Sequence, residues 1–229
     1  MRYEAIFLDV GGVFQLPTAP AIVEVLATFG VAADASLLQR CHYAGMAAYD
    51  RSSGQVEREW WADYLRAYAR MAGAGDDPAV PPALLGAFRQ SPRWATVIGP
   101  SVQALHALLA TGVKVAIVSN SDGTVEDRLK LDGTCQVGPG PCAAVHCILD
   151  SKVVGISKPD PAIFHLALAK LQAAAARVMH VGDSVRADVV GARAAGIRPL
   201  HLDPYGFCPD TDHDHLRGLT DLLDASHGF

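Results

Sequence analysis

The sequence predicts an α/β protein with a parallel sheet and an all-helical block inserted near its start. Three observations predict it. Short apolar runs recur along the chain, helix-patterned segments separate them, and residues 17–92 break the alternation with helices alone. The runs are Glu4–Leu8, Lys114–Val118, Ala144–Leu149, Val178–Val181 and Arg198–Leu202. Each is short and apolar, the pattern of a strand buried on both faces.

The intervening segments read as helices. Ser101–Ala110 places Val102, Leu105, Leu108 and Leu109 at helical spacing. Asp160-Pro161 opens Pro161–Leu171 with an N-cap followed by a first-turn proline, and Gly196 closes Asp188–Ala195. Within the insertion the helices are expected at Ala19–Phe29, Ala35–Tyr49, Arg58–Met71 and Pro82–Phe88. A stretch after His215 reads as a last helix that packs Leu216, Leu219, Leu222 and Leu223 on the core. Residues 1–16 and 93–229 are thus expected to form a Rossmann-like, three-layer core, and residues 17–92 a helical cap over the tip of the first strand. Right-handed crossovers put every strand C-terminus at one edge of such a sheet.

Composition narrows the function. A chain of 229 residues is long enough for one good-sized core, or for one core plus a smaller domain. The formal charge of −5, with no Lys/Arg-rich run, argues against a nucleic-acid partner. No apolar stretch reaches membrane-spanning length, and Ala5–Val10 is too short for a signal peptide and contains Asp9. The expectation is a cytoplasmic monomer or homodimer without a membrane partner. The five cysteines form no C-x-x-C pair, so reduced thiols are expected. His201, Cys208, His213 and His215 match no standard metal-ligand spacing, and Asp210–His215 reads as a polar loop.

Four predicted strand tips carry polar chemistry. Phe7–Val13 delivers Asp9 and then Gly11 and Gly12, whose freedom lets backbone N–H groups point at an anion; glycines also simply make turns. Ile117–Ser121 ends in Ser119 and Asn120, good partners for phosphate oxygens and equally an N-cap with a loop. Ser157–Pro161 holds Lys158 in a stiff loop, where its ammonium can balance phosphate charge, although most lysines are solvated. Val181–Asp188 carries Asp183 at a strand tip and Asp188 in the first turn that follows. The helix dipole favours an acidic group at Asp188. Asp183 beside Asp9 needs a cation, because like charges repel. Open α/β sheets bind ligands at this edge.

In this order these stretches resemble the haloacid dehalogenase superfamily of hydrolases, above all Ser-Lys-Pro-Asp-Pro and Gly-Asp-Ser-x-x-x-Asp. The resemblance covers almost the whole chain, including the helical cap. It implies that Asp9 is the nucleophile and that Ser119 and Lys158 bind the transferring phosphoryl group. Mg²⁺ would be held by Asp9, the Gly11 carbonyl and Asp183, with Asp188 in support, and the substrate would be a small phosphorylated metabolite. One departure stands out. Most phosphatases of this family carry a second Asp where this chain has Gly11. The carbonyl survives, but the general acid/base, worth about 10²–10⁴-fold, does not. A metal-independent haloacid dehalogenase and a non-catalytic protein that binds a phosphorylated ligand are therefore the alternatives. The cap residues His42, Tyr43, Met46, Tyr49 and Arg51 are candidate substrate contacts, with ordinary packing as the competing explanation.

Overall fold

A computed structural model describes residues 3–90 and 94–224. In chain order the elements are β1 (Ala5–Leu8), β2 (Gln15–Pro17), α1 (Ala19–Thr28), α2 (Ala35–Arg51), α3 (Glu57–Ala72), α4 (Val80–Phe88), β3 (Trp94–Val97), α5 (Gly99–Ala110), β4 (Lys114–Ser119), α6 (Val125–Leu131), β5 (Cys135–Val137), β6 (Ala143–Val145), β7 (Cys147–Asp150), α7 (Ser151–Val154), α8 (Pro161–Leu171), β8 (Val178–Gly182), α9 (Val190–Ala194), β9 (Arg198–Leu202) and β10 (Asp214–Leu216).

Six strands form one sheet in the order β10-β9-β8-β1-β4-β7, with every pairing parallel. β1 lies between β4 and β8. The chain runs outward from β1 to one edge, then restarts on the other side, so β1 sits where the strand order reverses. Ligand sites open at the strand C-termini at such a point. Phe7, Ala116, Val118, Leu149 and Val178 pack under Ile163, Phe164, Ala167 and Leu171 of α8 and Ala192 of α9. Ile6, Leu8, Val115 and Ile117 alternate with them and are equally buried, so both faces are covered. This is the expected Rossmann-like α/β fold.

Two compact units emerge. One contains the described residues of Met1–Phe14, Val97–Pro204 and Asp210–Phe229; the other contains those of Gln15–Thr96 together with Tyr205–Pro209. The expected boundary at 92/93 lies outside the described residues. In the second unit α1–α4 bury Ile22, Leu26, Leu38, Tyr64, Tyr68 and Leu84 around one another. Asp34 caps α2 by accepting from the Leu37 N–H, and Gly73, at φ +91°, ends α3 in the left-handed region. His42, Tyr43 and Met46 are buried here, and His42 Nδ1 lies 2.9 Å from the Tyr64 hydroxyl, so packing accounts for them. Arg51 donates to the Phe207 carbonyl within the same unit. No helix among the described residues is long and apolar enough to cross a membrane.

Four local expectations are corrected. Asp214–Leu216 is a sixth strand of the sheet, where Asp210–His215 was expected as loop and Leu216 in a last helix, because its backbone joins the exposed edge of β9. Leu219–Leu223 is a short 3₁₀ helix in which Leu219 and Leu222 are buried and Leu223 is exposed. The segment from Asp188 to Ala195 is not one α-helix: Val185–Val189 forms a π turn before α9. The apolar run Ala144–Leu149 is also divided. β6 pairs with β5, and His146 breaks the run before β7 joins β4.

Candidate active site

Asp9 follows β1 directly, and its N–H donates to the Val181 carbonyl at 2.9 Å, so the ladder with β8 continues under it. Asp183 follows β8 in the same way. One carboxylate oxygen from each of Asp9, Asp183 and Asp188 lies within 4.8 Å of the others, and all three residues are buried. The turn after Asp9 makes this possible. Gly12 has φ +64°, and a Cβ there would sit 2.0 Å from Asp183 Oδ2. Only glycine leaves room for the second carboxylate.

Lys158 enters from the loop before α8, after β7 and α7. Its Nζ lies 2.8 Å from Asp9 Oδ1 and 2.6 Å from Asp188 Oδ1, and its side chain is 1% exposed. The loop is clamped by Asn120 beyond β4. Asn120 Oδ1 accepts from the Lys158 N–H at 2.8 Å, and Asn120 Nδ2 donates to the Lys158 carbonyl at 2.9 Å. Both side-chain polar atoms of Asn120, expected to contact substrate, therefore hold the lysine loop. The Lys158-Pro159 peptide is cis. The solvated fate common for lysine does not apply, because two carboxylates repay the desolvation. Burial alone would lower the Lys158 pKa, but Asp188 and Asp9 outweigh it and raise it.

Asp188 is anchored through both oxygens. Oδ1 meets Lys158 Nζ and lies 2.8 Å from His180 Nε2, while Oδ2 accepts from the Ser184 N–H at 3.2 Å. The π turn aims it: the Ser184 hydroxyl caps that turn by accepting from Ala187 N–H. Gly182 clears the space, since a Cβ there would meet Asp188 Cγ at 2.1 Å. Burial pushes the Asp188 carboxyl up, yet Lys158 and His180 outweigh it and hold it below the ordinary range. Asp9 shifts the other way. Burial raises its pKa, opposed by Lys158 and reinforced by Asp188.

Ser119 is buried at the end of β4, and Gly11 is half-buried between Asp9 and Gly12. His180 was not singled out in the sequence. It lies inside β8, fully buried, edge-on to Phe164. A histidine inside an apolar strand, two residues before a glycine, was the available signal.

The donor set fits a divalent cation. Three buried carboxylates gather within 4.8 Å of one another, one lysine ammonium is paired with them, at Asp9 and Asp188, and every candidate donor is oxygen. Hard oxygen donors with a charge excess suit Mg²⁺.

The chain is similar to known proteins. A family model described as haloacid dehalogenase-like hydrolase matches residues 3–196. The haloacid dehalogenase-like hydrolase domain-containing protein 3 of Bos taurus is 34% identical over 185 residues, 77% of this chain and 71% of that protein. The ribulose-1,5-bisphosphate 5-phosphatase of Halopiger xanaduensis is 28% identical over 168 residues, 71% of this chain and 66% of that protein. Among solved structures, a HAD phosphatase from Thermococcus onnurineus aligns with a TM-score of 0.59 at 18% identity, covering 100% of this chain and 99% of that one. With its parallel sheet and its carboxylate tips at the switch point, this chain belongs to the haloacid dehalogenase-like hydrolases.

Proposed function

We propose that this chain is a Mg²⁺-dependent phosphatase of a small phosphorylated metabolite, with Asp9 as the nucleophile. The observation that carries this reading is the convergence of Asp9, Asp183 and Asp188 within 4.8 Å of one another, with the buried Lys158 paired to Asp9 and Asp188. Asp9, the Gly11 carbonyl and Asp183 would hold Mg²⁺, which when bound offsets the charge of the phosphoryl oxygens. Lys158 adds a fixed ammonium, and the Ser119 hydroxyl and the Gly11-Gly12 N–H groups bind the remaining oxygens. An Asp9 carboxylate oxygen attacks phosphorus in line, the P–O bond to the leaving group breaks, and an aspartyl-phosphate forms. Water then attacks that phosphorus and releases Asp9 and inorganic phosphate. Asp188 positions Lys158 and touches no substrate. The helical unit is assigned the cap role, selecting the substrate.

Gly11 supplies no proton to the leaving group. Acyl and aryl phosphates, whose leaving groups depart unassisted, should therefore react faster than an alkyl phosphate. Rates on acetyl phosphate, p-nitrophenyl phosphate and an alkyl phosphate measure this, and equal rates on all three would refute it. Gly11 also favours a second reading, carbon–halogen hydrolysis, since halide leaves without a proton. Against that reading, the carboxylate pair Asp183 and Asp188 repels a haloacid carboxylate. The deciding assay is phosphate release from p-nitrophenyl phosphate with Mg²⁺, in parallel with halide release from a 2-haloacid. We expect phosphate release that EDTA and Asp9→Asn both abolish. Halide release that survives EDTA would replace the phosphatase reading. Turnover unaffected by Asp9→Asn would remove the nucleophile, and no turnover of any substrate would leave a binding protein.

A further inference from the structure

Three histidines gather near the opposite edge of the sheet. In the β9–β10 register His215 is the partner of His201, and His213 stands two residues before His215. His213 Nε2 lies 3.2 Å from His201 Nδ1 and 2.9 Å from His215 Nε2. The His213 side chain is fully buried, while His215 is exposed.

The outer nitrogens set the tautomers. His201 Nε2 is 3.2 Å from the Asp183 carbonyl, a group that only accepts, so Nε2 carries the proton and Nδ1 a lone pair. His213 Nδ1 is 2.7 Å from Asp212 Oδ1, whose pKa is lowered by that contact first and by Arg193 next. Nδ1 therefore donates, and in a neutral ring Nε2 holds the lone pair. Two lone pairs then face each other at 3.2 Å, and the third imidazole closes in at 2.9 Å. A proton on one ring or a metal ion between them removes that conflict. Four-coordinate zinc, with Zn–N near 2.0–2.1 Å, separates its donors by about 3.3 Å, a few tenths of an ångström from the spacings here. An imidazole that donates its far N–H to a carbonyl or carboxylate is the arrangement that orients metal-binding histidines. The Asp212 carboxylate is itself fixed, because Arg193 donates to its Oδ2 at 2.9 Å and to its carbonyl at 2.8 Å.

We propose that His201, His213 and His215 form a second cation site, selective for a zinc-class divalent ion and separate from the carboxylate site. Imidazole donors suit zinc, cobalt, nickel and copper and disfavour Mg²⁺. The bound ion fixes the short edge strand β10 to β9. Through the His201 N–H it also braces the backbone of Asp183. Cys208 belongs to the segment Tyr205–Pro209 of the other compact unit and is left out of the site. The proposal does not depend on the phosphatase reading.

The test titrates Zn²⁺ and Co²⁺ into the full, untagged chain in excess Mg²⁺, which blocks the carboxylate site. One equivalent should bind, and Co²⁺ should give the intense visible absorption of a four-coordinate site. Asp212→Asn should weaken binding by about 10–100-fold, as losing an outer-shell partner does, and His213→Gln by more. His215→Gln replaces an exposed side chain, so it should fold like the wild type by circular dichroism and still lose the ion. Asp9→Asn should bind it unchanged. Absence of stoichiometric binding, binding unchanged in both histidine variants, or binding lost in Asp9→Asn would each overturn the proposal.

Discussion

A methyl group at position 12 would lie 2.0 Å from Asp183 Oδ2, in a backbone conformation that L-residues rarely adopt. Gly12→Ala should therefore displace Asp183 and, on the proposed phosphatase reading, lower turnover by roughly 10² or more, the scale set by loss of one preorganised electrostatic contact. Steady-state kinetics against Mg²⁺ concentration checks this. Gly182→Ala should act through Asp188, whose Cγ would be 2.1 Å from the added carbon. Asp188 also gives a pH prediction. Its folded pKa lies below the ordinary value, so its stabilisation is present above the unfolded pKa near 3.9 and is lost as pH falls through the lower folded value. The stability difference between wild type and Asp188→Asn should be largest near neutrality and shrink in acid, as read by urea titrations across pH. A difference that grows in acid would contradict the ion pair with Lys158. Asp9 and Asp183 stood out in the sequence because each closes an apolar run, whereas Lys158 lies in a loop before α8 and Asp188 inside the π turn, where local pattern marks them less. Asn120 was legible only as a polar residue at a tip; its clamp on the Lys158 backbone joins positions 38 residues apart, and no local pattern encodes that.

At the scale of the elements, one carboxylate organises the turn after β4. Asp150 ends β7, caps α7 by accepting from the Lys152 N–H at 2.9 Å, and also accepts from the N–H groups of Gly123 and Val125. Asp150→Ala leaves three backbone donors short of a partner. It should destabilise the chain by about 1–3 kcal/mol, more than the ~1 kcal/mol typical of a helix cap. Asp34→Ala, which removes an exposed cap from α2, is the comparison, expected near that ~1 kcal/mol. Chemical denaturation measures both, and equal losses would show that the three bonds of Asp150 do not act together. Helix α8 was readable to the residue because Asp160 and Pro161 mark its start. Strand β10 was not. It has three residues, two of them exposed, and its backbone finds a partner only at the edge of β9.

Across the whole molecule, thiol chemistry reports the integrity of both units. Burial pushes Cys41, in the helical unit, and Cys135 up to about 12, and Cys147 to about 11. The thiolate is the reactive form, so these three should resist alkylation at mildly alkaline pH and react only on unfolding. Mass spectrometry after timed iodoacetamide labelling reads this at each site. Fast labelling of Cys135 or Cys147 under native conditions would mean that the core opens locally. Cys142, partly exposed, should label first of the thiols in the core unit.

The sequence alone determined the parallel sheet, the helical insertion and the order of polar strand tips. Hydrophobic period, caps and turns are local properties, and the crossover rule then puts those tips on one edge. Only the tertiary structure decided which tips touch. Strand order brings Asp9 beside Asp183, the π turn carries Asp188 to Lys158 and His180, and the β9–β10 register sets His215 beside His201. These are meetings of residues distant along the chain, fixed by packing and pairing that no short window of sequence contains.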